Sequence, residues 1–287
     1  MKNVIVRSLS GIVYMAVFIG CVLGGFEWFS GLTLILMILG TLEYMKLTSA
    51  RIGERVGWAV SFFVLFTTIW IWQFIFLGGA ALGEANDMPG IVYLFYWLAV
   101  PVFFVIFWVV MLFWSVFSHR TQPLNILGAA VSCLMYVALP LLLLNTVFLI
   151  LPPVYAKTLV LISLICIWIN DTGAFCVGSL MGKHRLCERL SPKKSWEGFW
   201  GGMFFVVLAL VIYSLASGRN PVTFGIFGIL ITIFATVGDL FESLLKRSAG
   251  VKDSGHLIPG HGGILDRIDS LLFVAYIVVG MAMMNIL

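Results

Sequence analysis

The sequence predicts an all-α protein, a polytopic membrane helix bundle with about nine transmembrane helices. Three observations carry that prediction. Of 287 residues, 61% are hydrophobic and only 10% charged, against roughly 25% charged and 45–50% apolar in soluble domains. The apolar residues fall into runs close to the ~20 residues a helix needs to cross hydrocarbon. Between those runs the basic residues distribute 15 to one side and two to the other. A soluble globule of this size cannot hide so much apolar surface, which excludes a soluble enzyme, a disordered chain and a nucleic-acid binder.

The nine spans fall at about 8–26, 28–45, 56–79, 91–117, 124–151, 158–181, 198–217, 222–245 and 264–287. The first has a basic start and no small-residue cleavage site, so it reads as an uncleaved span rather than a signal peptide. Glu27 and Glu43 bracket the second and leave it a short apolar core. Pro140 in the fifth is tolerable as a kink inside a bundle. The sixth carries Asp171 deep in an apolar stretch. A charge at the bilayer centre costs roughly 2.5–3.5 kcal/mol, so Asn170-Asp171-Thr172-Gly173 reads as a helix break or a polar cavity facing the bundle. No repeat or linker is visible. Residues 1–150 read as a scaffold of N-terminal spans able to carry dimer contacts, and 151–287 as the catalytic region.

With the N-terminus inside, Lys157 and Arg219 stand alone on the outer side and the other 15 basic residues face the cytosol. The five cysteines form no C-x-x-C pair, and neither a disulfide nor a zinc site is expected.

Sixteen of the 30 charged residues sit in two cytosolic stretches, 183–197 and 239–269. In the second, Asp239, Glu242, Ser243 and Lys246 share one helical face by their i, i+3, i+4, i+7 spacing. Asp266 and Asp269 begin the next helix, one turn apart. A solvated helix end with an internal ion pair is the plainer explanation of the first group. Three carboxylates (Asp239, Asp266, Asp269) in one mouth go beyond it, because each pair at about 4 Å repels by roughly 4 kcal/mol at an effective dielectric near 20. An all-oxygen donor set favours a hard cation, Mg²⁺. Between the helices, the turn ending Gly260-His261-Gly262-Gly263 offers backbone amides to an anion. His256 and His261 in that loop are secondary candidates for catalysis.

The stretch 183–197 carries net charge +3. Its Lys183, Arg185 and Arg189 suit anionic headgroups, while Lys193-Lys194, between Ser191 and Ser195, is dense in polyphosphate donors. Gly178 to Lys183 is one residue short of a P-loop, and no G-x-S-x-G, H-E-x-x-H or G-x-G-x-x-G occurs. Covalent serine catalysis, zinc hydrolysis and dinucleotide binding have no support.

Residues 243–269 fit the pattern S-x-x-K-R-x4-K-D…P-G-H-G-G-x-x-D-R-x-D, which resembles the signature of phosphatidate cytidylyltransferases (CDP-diacylglycerol synthases). Asn170-Asp171-Thr172-Gly173-Ala174-Phe175 and Ser191-Pro192-Lys193-Lys194-Ser195-Trp196-Glu197-Gly198 resemble two further family segments, with Phe175 in place of Tyr and Ser195 in place of Thr. The likeness is strong over about 165–275.

It implies condensation of CTP with phosphatidic acid to CDP-diacylglycerol and pyrophosphate. The enzyme so implied is a homodimer in a bacterial-type inner membrane, with its site facing the cytosol and a divalent metal bound. A second, monovalent cation stays open beside the Mg²⁺. Asp239, Asp266 and Asp269 are then the metal ligands. Lys246, Arg247, Lys252 and Arg267 bind phosphates, with Asp253 as a further metal or nucleotide contact. Ser191, Lys193, Lys194, Gly262, Gly263 and Asp171 line the nucleotide site. Two alternatives remain: a CTP-dependent lipid-alcohol kinase of polyprenol type, releasing CDP, and a lipid transporter using Asp171 as its coupling carboxylate. A transporter places its polar residues near the midplane, whereas these gather at one mouth.

Overall fold

A computed structural model of the chain describes residues 2–52, 123–255 and 262–284, with isolated helical positions between 61 and 117. Helix α1 (Lys2–Gly24) turns at Gly25, whose φ of 100° suits a residue without Cβ, straight into α2 (Phe26–Ile52). Lys157 caps the turn by donating from Nζ to the Leu23 carbonyl at 2.7 Å. Helix α2 runs unbroken past both Glu27 and Glu43.

The fifth predicted span is one helical run in three parts, α3 (Pro123–Cys133), a π-helical turn (Leu134–Ala138) and α4 (Leu139–Ile150). The expected effect of Pro140 is realised as that turn. Proline lacks an N–H and crowds the carbonyl four residues back, at Tyr136; widening the helix there absorbs both. The N–H of Leu139 bonds instead to the carbonyl of Leu134.

Helix α5 (Pro153–Met181) has 29 residues, a length of about 43 Å at 1.5 Å per residue. It passes through Asn170 to Gly173 without interruption. Of the two expectations for Asp171, the helix break is therefore wrong; the residue lines a cavity. A short antiparallel hairpin follows, β1 (Arg185–Cys187) and β2 (Ser191–Ser195), pairing Arg185 with Ser195 and Cys187 with Ser191. This small sheet departs from a purely helical expectation. Ser195 ends it and caps α6 (Trp196–Ala216), its Oγ accepting from the Gly198 N–H at 3.2 Å. A Cβ on Gly202 of α6 would stand 2.8 Å from the Asn170 carbonyl oxygen, so α5 and α6 touch backbone to backbone.

Asn220 caps α7 (Pro221–Ser248), with Pro221 as its first residue, and Gly250 (φ 70°) ends the turn that closes it. The last described helix, α8 (Leu265–Met283), lies antiparallel to α7 and also packs on α4 and α5. Its Leu265, Ile268, Leu272, Val274, Ala275 and Val278 are completely buried, which makes α8 the centre of the core.

Five described helical runs are long and apolar enough to cross a membrane, Phe26–Thr48, Leu124–Ile150, Pro153–Met181, Trp196–Ala216 and Pro221–Ser248. Helix α8 opens with three charged residues in its first five, and the apolar part of α1 is shorter, Ser10–Gly24. Seven of the nine predicted spans thus coincide with helices. The other two, 56–79 and 91–117, fall outside the described residues apart from the isolated positions.

Candidate active site at the charged mouth of α7 and α8

The antiparallel pair α7–α8 sets the site. At Gly238 the helices meet backbone to backbone: a Cβ there would lie 2.6 Å from the Asp269 carbonyl and 3.1 Å from Ser270 Cα. Ser270 Oγ donates to the Ala235 carbonyl at 3.1 Å one turn away. With the backbones in contact, Asp239 and Glu242 of α7 face Asp269 of α8. One carboxylate oxygen from each lies within 4.8 Å of the others.

The three carboxylates differ in how they are compensated. Asp239 forms an ion pair with Lys194 of β2. Side chains alternate along a strand, so Lys193 points to solvent while Lys194 turns inward to this pair. Glu242 is 2% exposed and accepts from Lys246 at 2.5 Å through Oε2; its Oε1 is buried with no protein partner. Asp269 accepts from the Ser270 N–H at 2.7 Å.

Asp266, grouped with the metal ligands by spacing, has both oxygens engaged within the protein here. Oδ1 takes Lys246 at 2.6 Å, and Oδ2 takes the Ser254 N–H and hydroxyl at 3.0 Å each and the Gly263 N–H at 2.8 Å. Asp266 thus ties Lys246 to the loop, and Gly262 takes φ 86° beside it. Lys246, assigned to phosphate from sequence, stands between Glu242 and Asp266 and is 14% exposed. The i, i+4 ion pair that offered the plainer reading of α7 is therefore present, inside the larger cluster.

Arg247, Lys252, Asp253 and Arg267 are exposed around this mouth, and Ser191 is half-buried on β2. His256 and His261 lie outside the described residues. A cavity of about 210 Å³ opens between α1, α5 and α8. Asp171, Arg267 and Asp269 line one part of it, and Phe18, Leu164 and Ile167 another. Tyr14 closes it from α1, its hydroxyl donating to the Arg267 carbonyl at 3.3 Å. Two carboxylates were missed by sequence reasoning. Glu242 was visible on the shared face of α7 but was not counted as a ligand, and Glu43 registered only as an interruption of the second span.

A profile of the cytidylyltransferase family matches residues 5–286, nearly the whole chain. The chain belongs to the cytidylyltransferase family. Within the family, it is 45% identical over 124 residues to the phosphatidate cytidylyltransferase of Bacillus subtilis (strain 168), covering 42% of this chain and 45% of that protein. It is 44% identical over 118 residues to the protein of the same name from Staphylococcus aureus (strain COL), and 44% over 117 residues to that of Staphylococcus haemolyticus (strain JCSC1435). Each of those two matches covers 40% of this chain and 45% of the relative. The chain therefore aligns with somewhat under half the length of these relatives.

Proposed function

We propose that the protein transfers a cytidylyl group from CTP to phosphatidic acid, forming CDP-diacylglycerol and pyrophosphate. The observation that carries this reading is the meeting of Asp239, Glu242 and Asp269 beside Lys194 and Lys246 in a member of the cytidylyltransferase family. The named relatives supply the substrate class. A lipid phosphate oxygen attacks the α-phosphorus of CTP. The bond from that phosphorus to the β-phosphate bridging oxygen breaks, and pyrophosphate leaves with the electron pair. No covalent enzyme intermediate is required, so catalysis is positioning and charge neutralisation.

The donor set fits Mg²⁺. All donors are oxygens, three carboxyl groups converge, and Glu242 Oε1 is buried with no protein partner. Asp239, Glu242 and Asp269 would hold the ion, with Asp266 reaching it on release of Lys246. Bound there, the metal would neutralise phosphate charge and polarise the phosphoryl oxygens. Lys194, now paired with Asp239, and the exposed Lys193 bind the CTP polyphosphate, with Ser191 and Gly262 alongside; the Gly263 N–H, expected to cradle an anion, is instead donated to Asp266 and would serve the nucleotide only after Asp266 turns to the metal. Lys246, Arg247, Lys252 and Arg267 bind phosphates of either substrate, and Asp253 is a further metal or nucleotide contact. Asp171 lines the polar part of the cavity. The apolar part suits the glycerol-proximal acyl chains. We also propose a homodimer in a bacterial-type inner membrane with this mouth facing the cytosol.

The test is incubation of the purified protein with labelled CTP and, in parallel, phosphatidate or a polyprenol, with and without Mg²⁺. CDP-lipid and pyrophosphate in equal amounts, dependent on the metal, are expected. Release of CDP with a phosphorylated lipid alcohol would instead establish a kinase, and no turnover of CTP would refute both.

A further inference from the structure

Glu43 lies two-thirds of the way along α2, beside the charged mouth and more than 200 residues from the groups it touches. Its Oε1 accepts from the Ile264 N–H at 2.9 Å, and its Oε2 from the Leu265 N–H at 3.0 Å and the Ser254 hydroxyl at 3.1 Å. The N–H groups of a helix's first turn have no partner within the helix. Ile264 provides no side-chain cap for α8. A carboxylate from another helix does so here, where the helix dipole also favours negative charge.

The local sequence makes room for it. A Cβ on Gly255 would lie 2.5 Å from Glu43 Oε1, and one on Gly263 would lie 2.7 Å from Glu43 Cδ. The two glycines form the walls of a slot that the carboxylate fills. Asp266 holds the same turn from the other side, through Ser254 and Gly263. The single Ser254 hydroxyl proton lies within reach of both carboxylates and serves one at a time.

We propose that Glu43 is a positioning residue for cytidylyl transfer. It clamps the turn at Ser254-Gly255 and Gly263–Leu265 onto α2 and fixes the first turn of α8, which carries Asp266, Arg267 and Asp269. The catalytic part of the proposal rests on the reaction assigned above; the clamp does not. A residue of the N-terminal region, read from sequence as scaffold, thus takes a direct part in the site.

Glu43→Gln keeps the volume in the glycine slot but removes the charge and turns an NH₂ toward an N–H donor. In the full-length protein in detergent, hydrogen exchange of the 262–266 amides should accelerate about tenfold or more. The value of kcat should fall about 10–100-fold, the usual cost of losing an outer partner of a metal site. KM for phosphatidate should stay near wild type, and so should the melting temperature. Gly255→Ala, which drives a methyl against the same carboxylate and removes no charge, should give the same kcat loss. It also keeps the question decidable if Glu43→Gln does not fold. Unchanged exchange in Glu43→Gln overturns the clamp, and faster exchange with wild-type kcat overturns the positioning role. Absence of CDP-lipid from the wild-type protein refutes the reaction instead, while the exchange measurement still decides the clamp.

Discussion

Asp266 and Asp269 stand one turn apart in the same helix, yet their surroundings predict different consequences when either is neutralised. Asp269 faces Asp239 and Glu242, and its hydrogen bond within the protein is to the neighbouring Ser270 N–H. Asp269→Asn therefore removes a cation ligand and little else. On the proposed reaction, kcat should fall at least about 100-fold, in line with the loss of a group that stabilises transition-state charge, while thermal unfolding in detergent barely moves. Asp266 is 7% exposed, pairs with Lys246 and holds Ser254 and Gly263. Asp266→Asn should cost about 3–5 kcal/mol of stability, the range for breaking one side of a buried ion pair, together with activity. Melting curves and turnover measured on both variants check the pair. Near-normal activity in Asp269→Asn would remove it from the metal site.

At the scale of the element, the close approach of α7 and α8 decides whether the carboxylates meet. Gly238→Ala would place a methyl against the backbone of Asp269, which cannot yield as a flexible side chain does. The helices should move apart, at about 1–3 kcal/mol for overpacking, and the Mg²⁺ concentration for half-maximal activity should rise. An unchanged metal requirement would show that the cluster tolerates separation. The hairpin carries a second expectation: Lys193→Ala with Lys194→Ala should raise KM for CTP more than KM for lipid, and the reverse would move β2 to the lipid side. Of these elements, the long helices were legible because apolar runs of about 20 residues have few other uses. The hairpin was not, because strands of three and five residues, the longer one made only of Ser, Pro and Lys, give no alternating apolar signal. The π-helical turn left only Pro140 as its trace.

Across the whole molecule, the candidate site was legible where it is local and hidden where it is not. The face of α7 follows from helical spacing, and so does the nearness of α8 through a short loop. The slot for Glu43 joins residues 211 to 222 positions apart, and nothing in a single sequence marks such a contact. The inward turn of Lys194 onto Asp239 likewise depends on where the hairpin docks. What the sequence does address globally is orientation, through basic residues that divide 15 to two. On that division, the proposed orientation has the hairpin and the mouth of α7 and α8 facing the cytosol, with Lys157 and Arg219 on the other side. In the structure Lys157 caps the turn between α1 and α2, while Arg219 lies over the Tyr155 ring, 5.4 Å from its centroid. These two cations thus lie at the end of the bundle opposite the hairpin. Cys187 at the end of β1 is a free, half-buried thiol on the predicted cytosolic side. In a variant keeping Cys187 and replacing the other four cysteines by alanine, a membrane-impermeant maleimide should leave intact cells unlabelled. It should modify Cys187 in inverted membrane vesicles. Labelling of intact cells would reverse the orientation and place the carboxylate mouth away from the cytosolic CTP pool that the proposed reaction requires.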